Sequence, residues 1–252
     1  MFVVTGGSSG IGRALAQALA NQNKAVLIVG RREKELQKTA EYSSLISICC
    51  TDLASESGQK KLISQLANIK HIEGLIHNAG IIEPIVSLKS LSKPAWDAIM
   101  KTNLEAPLFL TQSLLKQLQD GRVLHIGSGA AYFPVAGWAP YCISKAALAM
   151  LTSCWQLEIQ DPAFASVMPG IIDTNMQAQI RNADNMNEEK QNFFKKLKQE
   201  KRLLTVETVA AFLTWLLLEI DVKTYSSQEW DIYDKSHHKS WLVDPFEVPE
   251  VG

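Results

Sequence analysis

The chain predicts an α/β fold built on a doubly wound parallel sheet with helices on both faces, and three observations carry that prediction. Short β-branched runs alternate with longer helical patterns along the chain, as parallel strands joined by crossover helices require. Phe2-Val3-Val4 reads as a buried strand and runs directly into the glycine-rich turn Thr5-Gly6-Gly7-Ser8-Ser9-Gly10-Ile11-Gly12, which opens a helical run from Arg13 to Ala20. Apolar segments are spread evenly over 252 residues, with no linker, internal repeat or low-complexity tract. One domain over residues 1–252 is therefore expected, long enough to bury a large core.

Taken in order, strands are expected at Phe2 to Val4, Ala25 to Val29, Leu45 to Cys49, Gly74 to His77, Arg122 to Ile126 and Ala163 to Val167, with helices between them. Glu229 to Tyr233 is mixed in character and gives a weaker last strand. Val209 to Leu218 is the most apolar stretch. It is far shorter than the roughly 20 residues that span a bilayer and reads as a core helix. Asn175 to Arg202 stands apart as polar and charge-rich, anchored by Met176, Ile180, Met186, Phe193, Phe194 and Leu197, and reads as mobile helices. Its basic run Lys195 to Lys198 reads as a solvated face.

The first turn carries chemistry as well as shape. Glycines allow the backbone to approach a pyrophosphate, and the helix that follows offers it unpaired N–H groups and a positive dipole end. Gly6, Ser8, Ser9, Gly10, Ile11 and Gly12 are thus candidates to hold a dinucleotide. After the second strand the chain reads Val29-Gly30-Arg31-Arg32, where a NAD site would place an acid for the ribose hydroxyls. Gly30 leaves room for a 2′-phosphate, and Arg31, with Arg32 beside it, can bind that group with a planar fork of donors. An arginine pair opening a helix is the plain alternative, but helix starts favour acidic groups. The expected cofactor is NADP(H).

A second constellation lies further along. Tyr141 and Lys145 stand four residues apart at the start of an Ala/Leu-rich run, behind Pro140, whose fixed φ suits a first helical turn. Residues so spaced share a helix face. Ser128, thirteen residues before Tyr141, could complete an acid/base site with them. Taken alone, the tyrosine and lysine could equally be a half-buried ring beside a solvated ammonium.

Together, these features resemble the short-chain dehydrogenase/reductase family over Thr5 to Lys235. Its glycine pattern falls on Thr5, Gly6, Gly10 and Gly12. Its Asn-Asn-Ala-Gly segment falls on His77-Asn78-Ala79-Gly80, departing at His77, and its Pro-Gly turn with a following threonine on Pro169, Gly170 and Thr174. The resemblance implies a Rossmann-type fold and catalytic roles for Asn103, Ser128, Tyr141 and Lys145. Tyr141 would donate the proton, with its pKa lowered by Lys145 and oxidised nicotinamide. Ser128 would orient the substrate oxygen, Lys145 would hold the nicotinamide ribose, and Asn103, near the start of a long helix, would keep a water in line with Lys145. Asn78, Ala79, Gly80, Pro169, Gly170, Ile172 and Thr174 would join the cofactor site. Asp52 and Leu53 would stand on its adenine side, Asp52 being equally readable as a helix-start residue. Residues 175–202 fall where the family places its substrate lid.

Gly137-Trp138-Ala139-Pro140-Tyr141-Cys142 is similar to the sepiapterin and benzil reductase branch, and Asp231-Ile232-Tyr233-Asp234-Lys235 to the terminal segment of sepiapterin reductases. Trp138 is then either an apolar substrate wall or a packing residue, and Asp231 either a pterin anchor or a solvated strand-end carboxylate. The expected substrate is a small ketone or vicinal dicarbonyl. Reduction of other ketones or 3-oxoacyl groups and a non-catalytic NADP(H)-binding regulator stay open. Residues 236–252 extend past the resemblance. Family members commonly pair through their long helices, so a homodimer or homotetramer is expected.

Composition narrows the partners. A formal charge of −1 gives neither nucleic acid nor an anionic membrane a broad footprint. Cys49, Cys50, Cys142 and Cys154 show no metal or disulfide spacing, and His71, His77, His125, His237 and His238 match no ligand pattern, so no metal is expected. With no leader-like segment ahead of the first strand, a reducing, cytoplasmic setting is the expectation.

Overall fold

The structure is a computed structural model and describes residues 1–183 and 185–250. Seven strands form one wholly parallel sheet: β1 (Phe2–Thr5), β2 (Val26–Gly30), β3 (Ile46–Cys50), β4 (Gly74–His77), β5 (Arg122–Ile126), β6 (Ala163–Met168) and β7 (Trp230–Asp231), in the order β3-β2-β1-β4-β5-β6-β7. The first six match the expected strands to within a residue at each end. The seventh is shorter than expected. As an edge strand it pairs through Val167 with Trp230 and Met168 with Asp231, and it ends where the Tyr233 and Asp234 amides turn back to the Asp231 carboxylate and carbonyl.

The helices are α1 (Gly10–Asn21), α2 (Glu33–Ala40), α3 (Glu56–Leu66), α4 (Lys93–Met100), α5 (Ala106–Leu114), α6 (Ala139–Glu158), α7 (Asn175–Arg181), α8 (Glu188–Gln199), α9 (Val206–Leu218), α10 (Val222–Tyr225) and α11 (His238–Trp241). Strand side chains alternate between the two faces, and two cores follow from that. Val4, Ile28, Ile76, Leu124 and Val167 pack against α1 and α9 through Leu15, Leu19, Phe212 and Leu216. Val3, Leu27, Leu75, Val123 and Phe164 pack against α3, α5 and α6 through Leu62, Leu110, Leu114 and Trp155. The apolar run at Val209 to Leu218 is thus a core helix, buried on most of its surface because it packs along α1 on one face of the sheet and under α11.

Asn175 to Arg202 holds α7 and α8, and their Ile180, Phe194 and Leu197, with Met186 between the helices and Leu203 beyond them, form a third cluster with Val135, Trp138 and Tyr141. Asn103 does not lie in a long α-helix as expected. It occupies a π-helical turn, Lys101–Glu105, between α4 and α5. Beyond Lys235 the chain turns back on itself. His237 and Trp241 join an aromatic cluster with Phe212, Trp215 and Trp230, and Arg202 grips the Glu250 carbonyl through Nε at 2.9 Å and Nη2 at 2.6 Å.

Candidate active site

The sheet order reverses between β1 and β4, and ligands of open parallel sheets bind beyond the carboxyl ends of the strands at such a point. The glycine turn after β1, Asn78-Ala79-Gly80 after β4, Ser128 after β5 and Pro169-Gly170 after β6 all emerge there. They border one cavity of about 1690 Å³.

At its dinucleotide end the glycines are required by contact. A Cβ on Gly12 would stand 2.5 Å from the Gly6 carbonyl oxygen, and one on Gly6, where φ is +70°, 2.7 Å from Asn78 Nδ2. Gly10, with φ of +56°, has nothing closer than Thr174 Cγ2 at 3.5 Å, so its open side faces the cavity. Thr5 ties the turn to β4. Its hydroxyl donates to Ile76 O and accepts from the Asn78 and Ala79 amides at 3.0 Å, while Asn78 Nδ2 donates to Thr5 O at 2.8 Å. The N-cap of α1, Ser9, makes no side-chain cap bond, and no acid stands in the first turn. Free N–H groups and a positive dipole end therefore face the cavity, a fit for a pyrophosphate.

Arg31 and Arg32 part company here. Arg32 Nη2 donates to Ser8 Oγ at 2.9 Å and Ser9 Oγ at 2.7 Å, whereas Arg31 is exposed and has no ion pair among the described residues. A Cβ on Gly30 would meet nothing within 3.4 Å. Asp52 borders the cavity beside half-open Thr51 and buried Leu53. Its carboxylate accepts from the Ala54 amide at 3.1 Å, and α3 is capped by Ser55 instead, so Asp52 is not the helix cap it could have been.

At the other end Tyr141 and Lys145 lie in the first two turns of α6, with Lys145 Nζ 5.8 Å from the centre of the phenol ring. Both are buried. Lys145 Nζ donates to Ile126 O at 2.6 Å, and burial pushes its ammonium down to about 8. Burial pushes the Tyr141 phenol above its ordinary range, opposed by a hydrogen bond with Ser128. The side chains by themselves raise it, because desolvation disfavours the phenolate. Asn103, 1% exposed, accepts from the Ile81 amide at 2.9 Å and donates to Ile81 O at 2.9 Å and Ser144 Oγ at 3.0 Å. Both N–H donors of its side-chain amide and one lone pair of the oxygen are taken by these bonds.

His77 turns away from the cavity. Its Nε2 is 2.9 Å from Thr111 Oγ1 and its ring stacks on His125 at 5.2 Å, so the departure from asparagine leaves Asn78 free to hold the glycine turn. Pro169, Gly170, Ile172 and Thr174 line the wall. Gly170 has φ of +82° and room for no side chain, since a Cβ would stand 2.4 Å from Leu204 Cδ1. Trp138 and Asp231 border the same cavity. Trp138 packs edge-on to Tyr141, ring centres 6.0 Å apart, and face-on to Phe194 at 5.9 Å. The Asp231 carboxylate accepts from the Tyr233 amide at 3.0 Å. Sequence reasoning passed over Ser144, the partner of Asn103, and Phe133 and Val135 on the cavity wall. Only the first carried a local signal, lying one helical turn after Tyr141.

The short chain dehydrogenase family model matches residues 1–185. The chain belongs to the short-chain dehydrogenase/reductase family. A benzil reductase ((S)-benzoin forming) of Bacillus cereus is 35% identical over 231 residues, 85% of this chain and 92% of the relative. The corresponding enzyme of Bacillus subtilis is 29% identical over 86% of this chain and 93% of its own. The crystal structure of a Saccharomyces cerevisiae short-chain dehydrogenase/reductase superposes with a TM-score of 0.89 at 27% identity, covering 95% of this chain and 98% of the other. This family member is an oxidoreductase acting on CH–OH and C=O groups. No helix of the described residues is long and apolar enough to cross a membrane.

Proposed function

We propose that this chain is an NADPH-dependent carbonyl reductase of small ketones and vicinal dicarbonyls. The observation that carries this reading is that Ser128, Tyr141 and Lys145 converge on the cavity that also holds the glycine turn and the open end of α1. A bound dihydronicotinamide supplies the hydride. The chain's own residues do the rest. Ser128 and the Tyr141 hydroxyl donate to the carbonyl oxygen, polarising it and fixing its position, and Tyr141 gives up its proton as negative charge develops there. Lys145, positively charged and 5.8 Å from the ring, stabilises the phenolate left behind and holds the nicotinamide ribose. Asn103 props Ile81 and Ser144 around them.

Exposed Arg31, together with the space over Gly30, favours a 2′-phosphate. Arg32 braces the serines of the glycine turn at the same end. The substrate end is apolar and aromatic, with Phe133, Val135, Trp138, Phe193 and Phe194 around it, which suits an aryl ketone or diketone. The names of the two bacterial relatives support the same substrate class. Asp231 would hold the far end of a pterin through paired N–H donors. Residues 175–202 act as the substrate lid. Ile143, Met150 and Leu157 expose one apolar face of α6, and Phe109 is exposed on α5, surfaces that a second copy of the chain would cover in a dimer.

The test is a panel of benzil, sepiapterin, simple ketones and a 3-oxoacyl thioester assayed with NADPH and with NADH. Turnover of benzil with NADPH is expected. Arg31→Ala should weaken NADPH by about one to two decades, as the loss of a charge-assisted contact does, and leave NADH nearly unchanged. Equal loss for both cofactors rejects the NADP(H) assignment, and no turnover of any carbonyl favours a non-catalytic binder.

A further inference from the structure

The substrate wall holds a hydrogen-bond donor that the protein itself leaves unused. Trp138 is 7% exposed and borders the cavity, yet its indole N–H has no acceptor among the described residues. Other tryptophans show the normal solution: Trp230 donates to Tyr225 O at 3.0 Å and Trp241 to His237 Nδ1 at 2.8 Å. Trp155 is also unpaired, but it packs in the core on Phe164, away from the cavity. A buried donor without a partner is costly, and such groups in native proteins call for an explanation.

The position of Trp138 suggests one. It caps α6 three residues before Tyr141, so the two side chains are neighbours on one side of the helix. Its ring is fixed edge-on against the phenol and face-on against Phe194. Nε1 itself is closed off from solvent, and Phe194, stacked on the ring, belongs to α8, so a ligand reaches the indole N–H only when that helix shifts. We infer that Trp138 Nε1–H donates to the second oxygen of a vicinal dicarbonyl whose first oxygen is held by Ser128 and Tyr141. This inference rests on the carbonyl reductase reading and adds a specificity determinant to it. A monoketone leaves the N–H unsatisfied, whereas a dicarbonyl brings the acceptor with it. Which of two unlike carbonyls faces the hydride is then set by the Ser128 and Tyr141 donors at one oxygen and the single Trp138 donor at the other.

The experiment compares benzil with deoxybenzoin, which keeps both phenyl rings and replaces one carbonyl by a methylene. Two variants remove the donor. Trp138→Phe keeps an aromatic ring, and 3-benzothienylalanine at position 138 keeps the full bicyclic shape with sulfur in place of N–H. A loss common to both substrates reports wall packing, so the ratio of their kcat/KM values is the readout. That ratio should fall by about tenfold in both variants, the scale of one lost neutral hydrogen bond. An unchanged ratio in the benzothienylalanine protein overturns the inference while leaving the reductase reading intact. If the wild-type protein reduces neither compound, binding decides. Benzil should then bind the NADPH complex about tenfold more tightly with tryptophan than with either replacement, and equal affinity overturns the inference.

Discussion

At Tyr141 two influences oppose each other. Burial holds the phenol protonated, and the hydrogen bond with Ser128 pulls the other way. A proton donor benefits from the first, since it must keep its proton until a carbonyl oxygen takes on charge, and from the second once the phenolate forms. Removing only the hydroxyl isolates this function, because a ring of nearly the same volume stays packed edge-on against Trp138 in the same apolar cluster. Tyr141→Phe is expected to cut turnover by roughly 10²–10⁴, the usual scale of general acid catalysis, while NADPH binding, followed by fluorescence titration, stays close to wild type. Near-normal turnover would assign the proton to another group.

Among the elements, α7 and α8 differ from the rest in how they are held. They meet the body through one apolar cluster, Ile180, Phe194 and Leu197 against Trp138 and Tyr141, and through ion pairs of Lys198 and Arg181 with exposed Asp173. The opposite face of α8 is charged and solvated. Exposed pairs of this kind add about 0–1 kcal/mol each, so most of the attachment comes from a few side chains that also line the substrate end. Segments with so few buried contacts open most readily. Limited proteolysis should therefore cut between Asn175 and Arg202 in the free protein and slow when NADPH and substrate fill the site. Equal cleavage rates in both conditions would remove the lid reading.

For the whole molecule, the joint between β4 and β5 makes stability depend on acid. His77 and His125 stand opposite each other in register and stack in the core. Thr152 donates its own hydroxyl proton to Leu148 O, so it accepts from His125 Nδ1 and fixes the neutral tautomer with Nε2 bare. Burial, with nearby Lys145, pushes His125 down to about 3, and burial, with His125, pushes His77 well below its ordinary value. His237 is lowered by burial too. Below pH 6.5 the unfolded chain binds protons at these rings that the folded chain refuses, so stability is full above that pH and falls on acidification. Each strongly shifted ring contributes about 1.4 kcal/mol per pH unit. Urea unfolding at pH 7, 6 and 5 should show this slope, and His125→Gln should make it shallower. Equal stability at pH 7 and pH 5 would mean that the rings are protonated in the fold.

The sequence by itself determined what depends on near neighbours along the chain. Alternation of β-branched and helical runs marks six strands nearly to the residue, because burial on two faces of a parallel sheet leaves a continuous apolar signature. The glycine turn is legible because close contacts at Gly6, Gly7 and Gly12 leave no room for a side chain there, and Tyr141 with Lys145 because four residues make about one helical turn. Other features required the tertiary structure. Asn103 sits in a π turn with its amide committed to Ile81 and Ser144, Arg32 braces Ser8 and Ser9 while Arg31 stays open, and His77 pairs with Thr111 across the core. The tail beyond Lys235 returns to Arg202. Each of these joins residues far apart in the chain, and local spacing restricts which face a side chain occupies without naming the partner it meets. Strand register, crossover packing and the cost of leaving a buried polar group unpaired choose that partner, and they act only once the chain has closed on itself.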